Sequence, residues 1–141
     1  MYASPQAFRQ MSRIAGMYTD IGVQGAASDS SGHQLISMLF EGALAALAQA
    51  RGALAGGQLD VKARAVAKAV RIVGEGLRAS LNLKDGGAIA SDLDSLYSYI
   101  EVRLTRANLQ NDDAGLDECQ RLLKPLAEAW NGIGTQVRQV G

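Results

Sequence analysis

The sequence predicts an all-α protein, an antiparallel up-down four-helix bundle with a short N-terminal helix or segment packed on it. Two observations support this prediction. Between residues 36 and 137 the apolar positions advance by alternating steps of three and four, which is the spacing of packed helices. Short polar or glycine-rich joints separate four such stripes, and joints of this length require neighbouring helices to run antiparallel.

Composition sets limits on the class of protein. The 141 residues predict one domain, with an N-terminal segment and linker over 1–32 and the bundle over 33–141. The 14 basic and 14 acidic residues balance, so nucleic acid is not an expected partner. A single cysteine forms no internal disulfide, which favours a reducing cytoplasm. No segment approaches the ~20 apolar residues of a membrane span, so we expect no membrane insertion.

The four stripes extend over about four to six helical turns, or roughly 20 to 35 Å. Their apolar positions run over residues 36–54, 59–81, 93–107 and 116–137. The predicted joints are Gly56-Gly57, residues 82–87, and residues 111–113 with Gly115.

Three local features mark the start or an irregularity of these helices. Ser91 and Asp94 resemble a capping box at the start of the third helix of the bundle, and the alternative is that this helix begins a turn earlier. Gly74 and Gly76 lie inside the second stripe, which indicates either a soft helix or the close approach of a neighbour. Pro125 lies inside the fourth stripe and predicts a kink.

An additional amphipathic helix is predicted ahead of the bundle. Its apolar residues recur at helical spacing: Phe8, Met11, Ile14, Tyr18 and Ile21. The small, polar stretch GAASDSSGH follows and has the composition of a flexible tether. The segment either caps one end of the core permanently or docks there reversibly.

The sequence offers little chemistry for catalysis. His33 is the only histidine, and Cys119 falls on the apolar stripe of the last helix. A di-iron bundle would need Glu-x-x-His pairs on facing helices, and the sequence contains none. We therefore expect no enzyme, no cofactor, and no catalytic or metal-binding residue.

The apolar residues exceed what one core-facing stripe needs. On the third bundle helix Tyr99 and Val102 point away from the core stripe, and the first helix begins with the nearly continuous apolar run LISMLF. Exposed apolar patches of this kind are usually covered by a partner. The segment around Tyr18, a second copy of the chain, or a helix of another protein could cover this one. A hydrophobic partner-binding groove is predicted from Tyr18, Leu35, Met38, Leu39, Tyr99, Val102 and Arg106.

Two stretches of the chain resemble one protein family. QLISMLFEGALAALAQA and GGAIASDLDSLYSYIEVRLTRAN are similar in order and composition to motifs of the FliS family of flagellin export chaperones. The resemblance extends over nearly the whole chain from Tyr18 onward. Ser30-Ser31-Gly32 stands where family members usually have Ala-Ser-Pro.

The resemblance implies a chaperone of the bacterial cytosol. Such a protein binds the C-terminal helical segment of flagellin, prevents premature polymerisation, and assists delivery to the flagellar type III export apparatus, with components of the export gate as further partners. The alternative is a structural homodimer that uses the same apolar face for a second copy and has no secreted client. The expected state in solution is a monomer or a weak homodimer.

Overall fold

The computed structural model describes the backbone of residues 32–140 and the side chains of residues 32–133. This part of the chain forms four helices and contains no strand: α1 (Gly32–Ala55), α2 (Leu59–Arg71), α3 (Gly87–Gln110) and α4 (Asp113–Val140), with a π-helical segment, Ile72–Arg78, continuing α2. The all-α prediction is confirmed. The predicted N-terminal helix, including Tyr18, lies outside the described residues.

The helices form a ring in which each one packs against the next and α4 returns to α1. Their directions alternate. Arg51, near the end of α1, pairs with Asp113 at the start of α4, and Lys62, near the start of α2, bonds Asn108 near the end of α3. The structure therefore has the antiparallel up-down packing that the short joints predict.

Two joints use left-handed backbone conformations to end a helix. Gly57 follows α1 with φ of 73°, a conformation that glycine adopts without a steric penalty. Asn111 follows α3 with φ of 51°, and its N–H bonds the carbonyl of Ala107. Gly115, predicted in the last joint, lies instead in the first turn of α4. A Cβ there would lie 2.8 Å from the Cβ of Ala107, so glycine allows α4 to approach α3.

Of the two predictions for the start of the third bundle helix, the capping box at Ser91 and Asp94 is wrong and the earlier start is present. Helix α3 begins a turn earlier, at Gly87, so these residues already lie within the helix. The Asp94 carboxylate instead accepts a hydrogen bond from Nε of Arg78 at 2.8 Å. It therefore fastens α3 to the end of the π-helical segment.

The glycines inside the second stripe lie where neighbouring helices approach closely. A Cβ on Gly76 would stand 3.1 Å from Cδ1 of Leu39, and a Cβ on Gly74 would collide with the carboxylate of Glu101. Both glycines belong to the π-helical segment. The close approach, one of the two predicted explanations, is present. At the other predicted irregularity, Pro125, helix α4 continues without interruption.

The core follows the predicted stripes and draws on all four helices. Its largest fully buried side chains are Leu35, Leu39, Leu47, Val66, Ile72, Leu77, Ile100, Leu104, Leu116 and Leu123. Every buried side-chain nitrogen and oxygen in the described part of the chain has a hydrogen-bond partner.

Candidate functional site

The most exposed apolar residues of α3 lie along its outer side. Val102 is 55% exposed and Leu109 is 81% exposed. Together with Val70 on α2 they line an open depression, here called the α2–α3 groove, whose residues are Val70, Glu101, Val102, Thr105, Arg106 and Leu109. The apolar residues on α3 are seven positions apart, so they stack on one face over two turns. A helix laid along this groove would meet an apolar surface.

Charged groups border the α2–α3 groove. The carboxylate of Glu101 accepts a hydrogen bond from Nη1 of Arg78 at 3.2 Å, so its charge is largely compensated. Arg106 is exposed, and within residues 32–133 it forms no ion pair. The groove therefore offers a guanidinium that is available to an acidic group on a partner.

Tyr99, predicted in the same groove, lies towards α4 instead. Its ring is 46% exposed, and its hydroxyl donates a hydrogen bond to Oε2 of Glu118. Arg103 donates to the other oxygen of this carboxylate at 2.9 Å. The hydrogen bond raises the pKa of Tyr99, while the bonds from Tyr99 and Arg103 lower the pKa of Glu118. Tyr99 is thus held at the α3–α4 face.

Leu35 and Leu39 do not lie on an exposed groove, which corrects the prediction for both. They are 2% and 0% exposed, respectively. Leu39 fills the space left by the missing side chain of Gly76, and both leucines belong to the main core. A helix in a bundle touches two neighbours, so its apolar arc can be wide without being exposed.

Met38 is half-buried on a third surface, between α1 and α2, beside Gly42 and Lys68. The predicted residues therefore separate into a core pair (Leu35, Leu39), Met38 at α1–α2, Val102 and Arg106 at α2–α3, and Tyr99 at α3–α4. Leu109, the most exposed large apolar residue among those that the structure describes, was missed. Its spacing of seven from Val102 is the signal that could have revealed it.

A separate apolar cavity of about 110 Å³ opens at one end of the bundle. Helices α1, α3 and α4, the π-helical segment and the joint after it contribute to this end cavity, and its lining is mainly apolar. The lining residues are Ile36, Phe40, Leu77, Ser80, Leu81, Asn82, Gly86, Ala90, Leu93, Tyr97, Leu126, Ala129, Trp130 and Ile133. Space of this size would admit an apolar group of about the volume of a side chain.

His33 and Trp130 are joined beside the end cavity. Their rings stack with centroids 4.7 Å apart and an interplanar angle of 9°. Trp130 donates from Nε1 to the carbonyl of His33 at 2.8 Å. Nε2 of His33 lies 2.6 Å from the carbonyl of Trp130, and because a carbonyl only accepts, Nε2 carries the proton. We call this contact the His33–Trp130 clasp.

Two further side chains with reactive or titratable groups, Cys119 and Tyr97, are buried. Cys119 is fully buried, and burial raises its pKa to about 12, so its sulfur is a thiol at neutral pH. Burial also raises the pKa of Tyr97. No group of three His, Cys, Asp or Glu residues in the described part of the chain is arranged to hold a metal ion. None of the described helices combines the length and apolarity that crossing a membrane requires.

The fold and surface define the class: a helical bundle with exposed apolar side chains along an open groove. Comparison with known proteins identifies the family. The model of the family described as Flagellar protein FliS matches residues 14–137. This chain belongs to the FliS family.

Similar proteins from several bacteria support the same family assignment. The flagellar secretion chaperone FliS of Salmonella typhimurium is 44% identical over 116 residues, covering 82% of this chain and 86% of that protein. FliSB, a flagellar secretion chaperone of Pseudomonas aeruginosa, is 41% identical over 116 residues, covering 82% and 91%. FliS of Campylobacter jejuni is 32% identical over 110 residues, covering 78% and 85%. An export chaperone role is thus supported by the names of its relatives.

Proposed function

We propose that this protein binds the C-terminal helical segment of flagellin in the bacterial cytosol, prevents its premature polymerisation, and assists its delivery to the flagellar type III export apparatus. Membership of the FliS family supports the chaperone role. The observation that carries the binding proposal is the exposed α2–α3 groove, whose apolar residues are uncovered along two turns of α3.

The groove suits an amphipathic helix. Val70, Val102 and Leu109 provide an apolar floor, and Arg106 stands at its edge. A client helix that buried about 600 Å² of apolar surface would gain about 15 kcal/mol before ordering costs of several kcal/mol are subtracted. This is enough to hold a segment that would otherwise expose its own apolar face. Met38 and Tyr99, on the adjacent faces, would extend the contact if the client wraps around the bundle.

Flagellin truncation tests the proposal. We expect full-length flagellin and this protein to form a 1:1 complex on gel filtration, and flagellin without its C-terminal helical region to elute separately. The full-length flagellin is the matched control, since both forms contain the rest of the client. Identical elution of the two mixtures would contradict the proposal.

A structural homodimer predicts a different result from the same surface. Sedimentation equilibrium over a range of concentrations would then show self-association that Val102→Asp weakens. A chain that remains monomeric and binds flagellin supports the chaperone. A stable dimer that does not bind flagellin supports the homodimer.

The segment around Tyr18 is proposed as a competitor for the apolar surface. Deleting residues 1–24 should leave the helical signal in circular dichroism unchanged and should tighten or accelerate flagellin binding. Loss of the folded bundle after this deletion would assign the segment to the core.

A further inference from the structure

Pro125 divides helix α4 into two parts with different relations to the end cavity. Proline has no N–H, so the backbone hydrogen bond to the carbonyl four residues earlier, that of Arg121, is missing. The helix is therefore easier to bend at this position than elsewhere. Every residue of α4 that lines the end cavity comes after the proline: Leu126, Ala129, Trp130 and Ile133.

The part before Pro125 is held firmly. Leu116, Cys119 and Leu123 are completely buried. Asp113 pairs with Arg51 at 2.8 Å, and Glu118 accepts hydrogen bonds from α3, as described above. These contacts fix the first half of α4 to both of its neighbours.

The part after Pro125 is held differently. The large apolar side chains Leu126, Trp130 and Ile133 are only partly buried. Within residues 126–133, the polar contacts to α1 include the His33–Trp130 clasp and a hydrogen bond from Ser37 to Asn131 at 2.9 Å, which is exposed to water. The clasp combines two hydrogen bonds with a ring stack, so it holds this part more firmly than the single exposed hydrogen bond of Ser37 does.

We propose that residues 126–133 of α4 form a hinged wall of the end cavity, with Pro125 as the hinge and the His33–Trp130 clasp as the latch. Releasing the clasp lets this wall move away from α1 and exposes the apolar lining, while the first half of α4 stays in the bundle. This device goes beyond client binding at the α2–α3 groove. Access to a second apolar surface is then controlled by one contact.

Hydrogen–deuterium exchange on the full chain tests the latch. In His33→Ala we expect amides of residues 126–133 to exchange about tenfold faster, because the ring stack and one hydrogen bond are lost. Amides of residues 116–124 should exchange at the wild-type rate. Equal acceleration along the whole of α4, or no acceleration, would overturn the proposal, since either result makes the clasp an ordinary structural contact.

Ser37→Ala is the matched control. It removes a hydrogen bond between the same two helices one turn away, but leaves the clasp intact. We expect its exchange rates to stay within about twofold of wild type, because exposed hydrogen bonds contribute little. An effect as large as that of His33→Ala would contradict the role of the clasp as the latch.

Pro125→Ala tests the hinge independently. Alanine supplies the missing N–H, so the double variant His33→Ala, Pro125→Ala should exchange more slowly at residues 126–133 than His33→Ala alone. Binding of 1-anilinonaphthalene-8-sulfonate, a fluorescent probe of accessible apolar surface, should rise in His33→Ala and fall again in the double variant. If His33→Ala proves too unstable to study, the single Pro125→Ala variant should still exchange more slowly than wild type at residues 126–133. Unchanged exchange there would overturn the hinge.

Discussion

The two ends of the bundle are built in different ways. At one end, here called the paired end, charged and polar side chains cross-link the helices: Arg51 with Asp113 and Asp117, Arg103 with Asp112 and Glu118, and Lys62 with Asn108. At the other end an apolar cavity remains, closed on one side by the His33–Trp130 clasp.

The paired end therefore stabilises the bundle, whereas the cavity end has room for side chains to rearrange. The cross-links of the paired end fix the order and direction of the helices, while the cavity end keeps apolar surface that is incompletely packed. Incomplete packing reduces the stability that each side chain contributes. It also leaves room for rearrangement, which a fully packed core does not allow.

Core truncations should show the largest contrast between the ends. Leu116→Ala removes a fully buried side chain of α4 and should lower the free energy of unfolding by about 3 kcal/mol. Leu93→Ala removes a partly buried residue that already borders the cavity and should cost about 1 to 2 kcal/mol. Urea unfolding of both variants measures the difference, and equal losses would contradict the contrast in packing.

A buried lysine of the paired end gives a smaller but specific effect. Lys62 is 4% exposed, and its Nζ donates to both the backbone carbonyl and the side-chain oxygen of Asn108, at 2.8 and 2.7 Å. It thereby satisfies a carbonyl in the last turn of α3 that has no partner within the helix. Lys62→Met keeps most of the packing but removes the donor, and should cost about 1 to 2 kcal/mol.

Lys84→Met is the control for this substitution, because Lys84 is exposed in the joint before α3. Its effect on thermal or urea unfolding should stay within about 0.5 kcal/mol. Similar losses in the two variants would show that the capping of α3 by Lys62 contributes nothing.

Acid should weaken the paired end to a still smaller extent. The hydrogen bond from Arg51 lowers the pKa of Asp113, and those from Tyr99 and Arg103 lower the pKa of Glu118. Because both pKa values are depressed in the folded protein, their stabilisation is present above the ordinary values of 3.8 and 4.5. It is lost as the pH falls through the lower folded values.

Thermal unfolding between pH 6 and pH 3 measures this effect. The melting temperature of the double variant Asp113→Asn, Glu118→Gln should lie below that of wild type at pH 6 and approach it at pH 3. Glu128→Gln, which alters an exposed carboxylate of α4, should follow the wild-type profile. A constant difference between wild type and the double variant at all pH values would exclude the ion pairs as its cause.

The sequence predicted the bundle because its stripes are long and regular. Residues such as Leu104 and Leu116 recur at helical spacing and are buried in the core as expected. The π-helical segment Ile72–Arg78 was not predicted, because local spacing does not reveal a wider helical turn. The close packing at Gly74 and Gly76, by contrast, was one of the two explanations that glycine in this stripe predicted.

The candidate site was predicted less completely than the fold. A helical wheel identified Val102 as exposed. It could not show which faces of each helix the neighbouring helices cover. Leu35 and Leu39 were therefore predicted to be exposed, although both are buried in the main core. The clasp joins residues 97 positions apart, and contacts of this range depend on the packing of the whole ring.

Flagellin binding by Val102→Asp compared with Leu83→Asp is the most direct test of the proposed client site. Both side chains are 55% exposed, so both aspartates remain in water and the fold is preserved. Val102 lines the α2–α3 groove, whereas Leu83 lies in the joint before α3. Titration calorimetry should show flagellin affinity at least about tenfold lower for Val102→Asp, because a carboxylate would be buried in the complex. Affinity for Leu83→Asp should stay within about twofold of wild type. Equal affinities for the two variants would contradict the assignment of the groove as the client site.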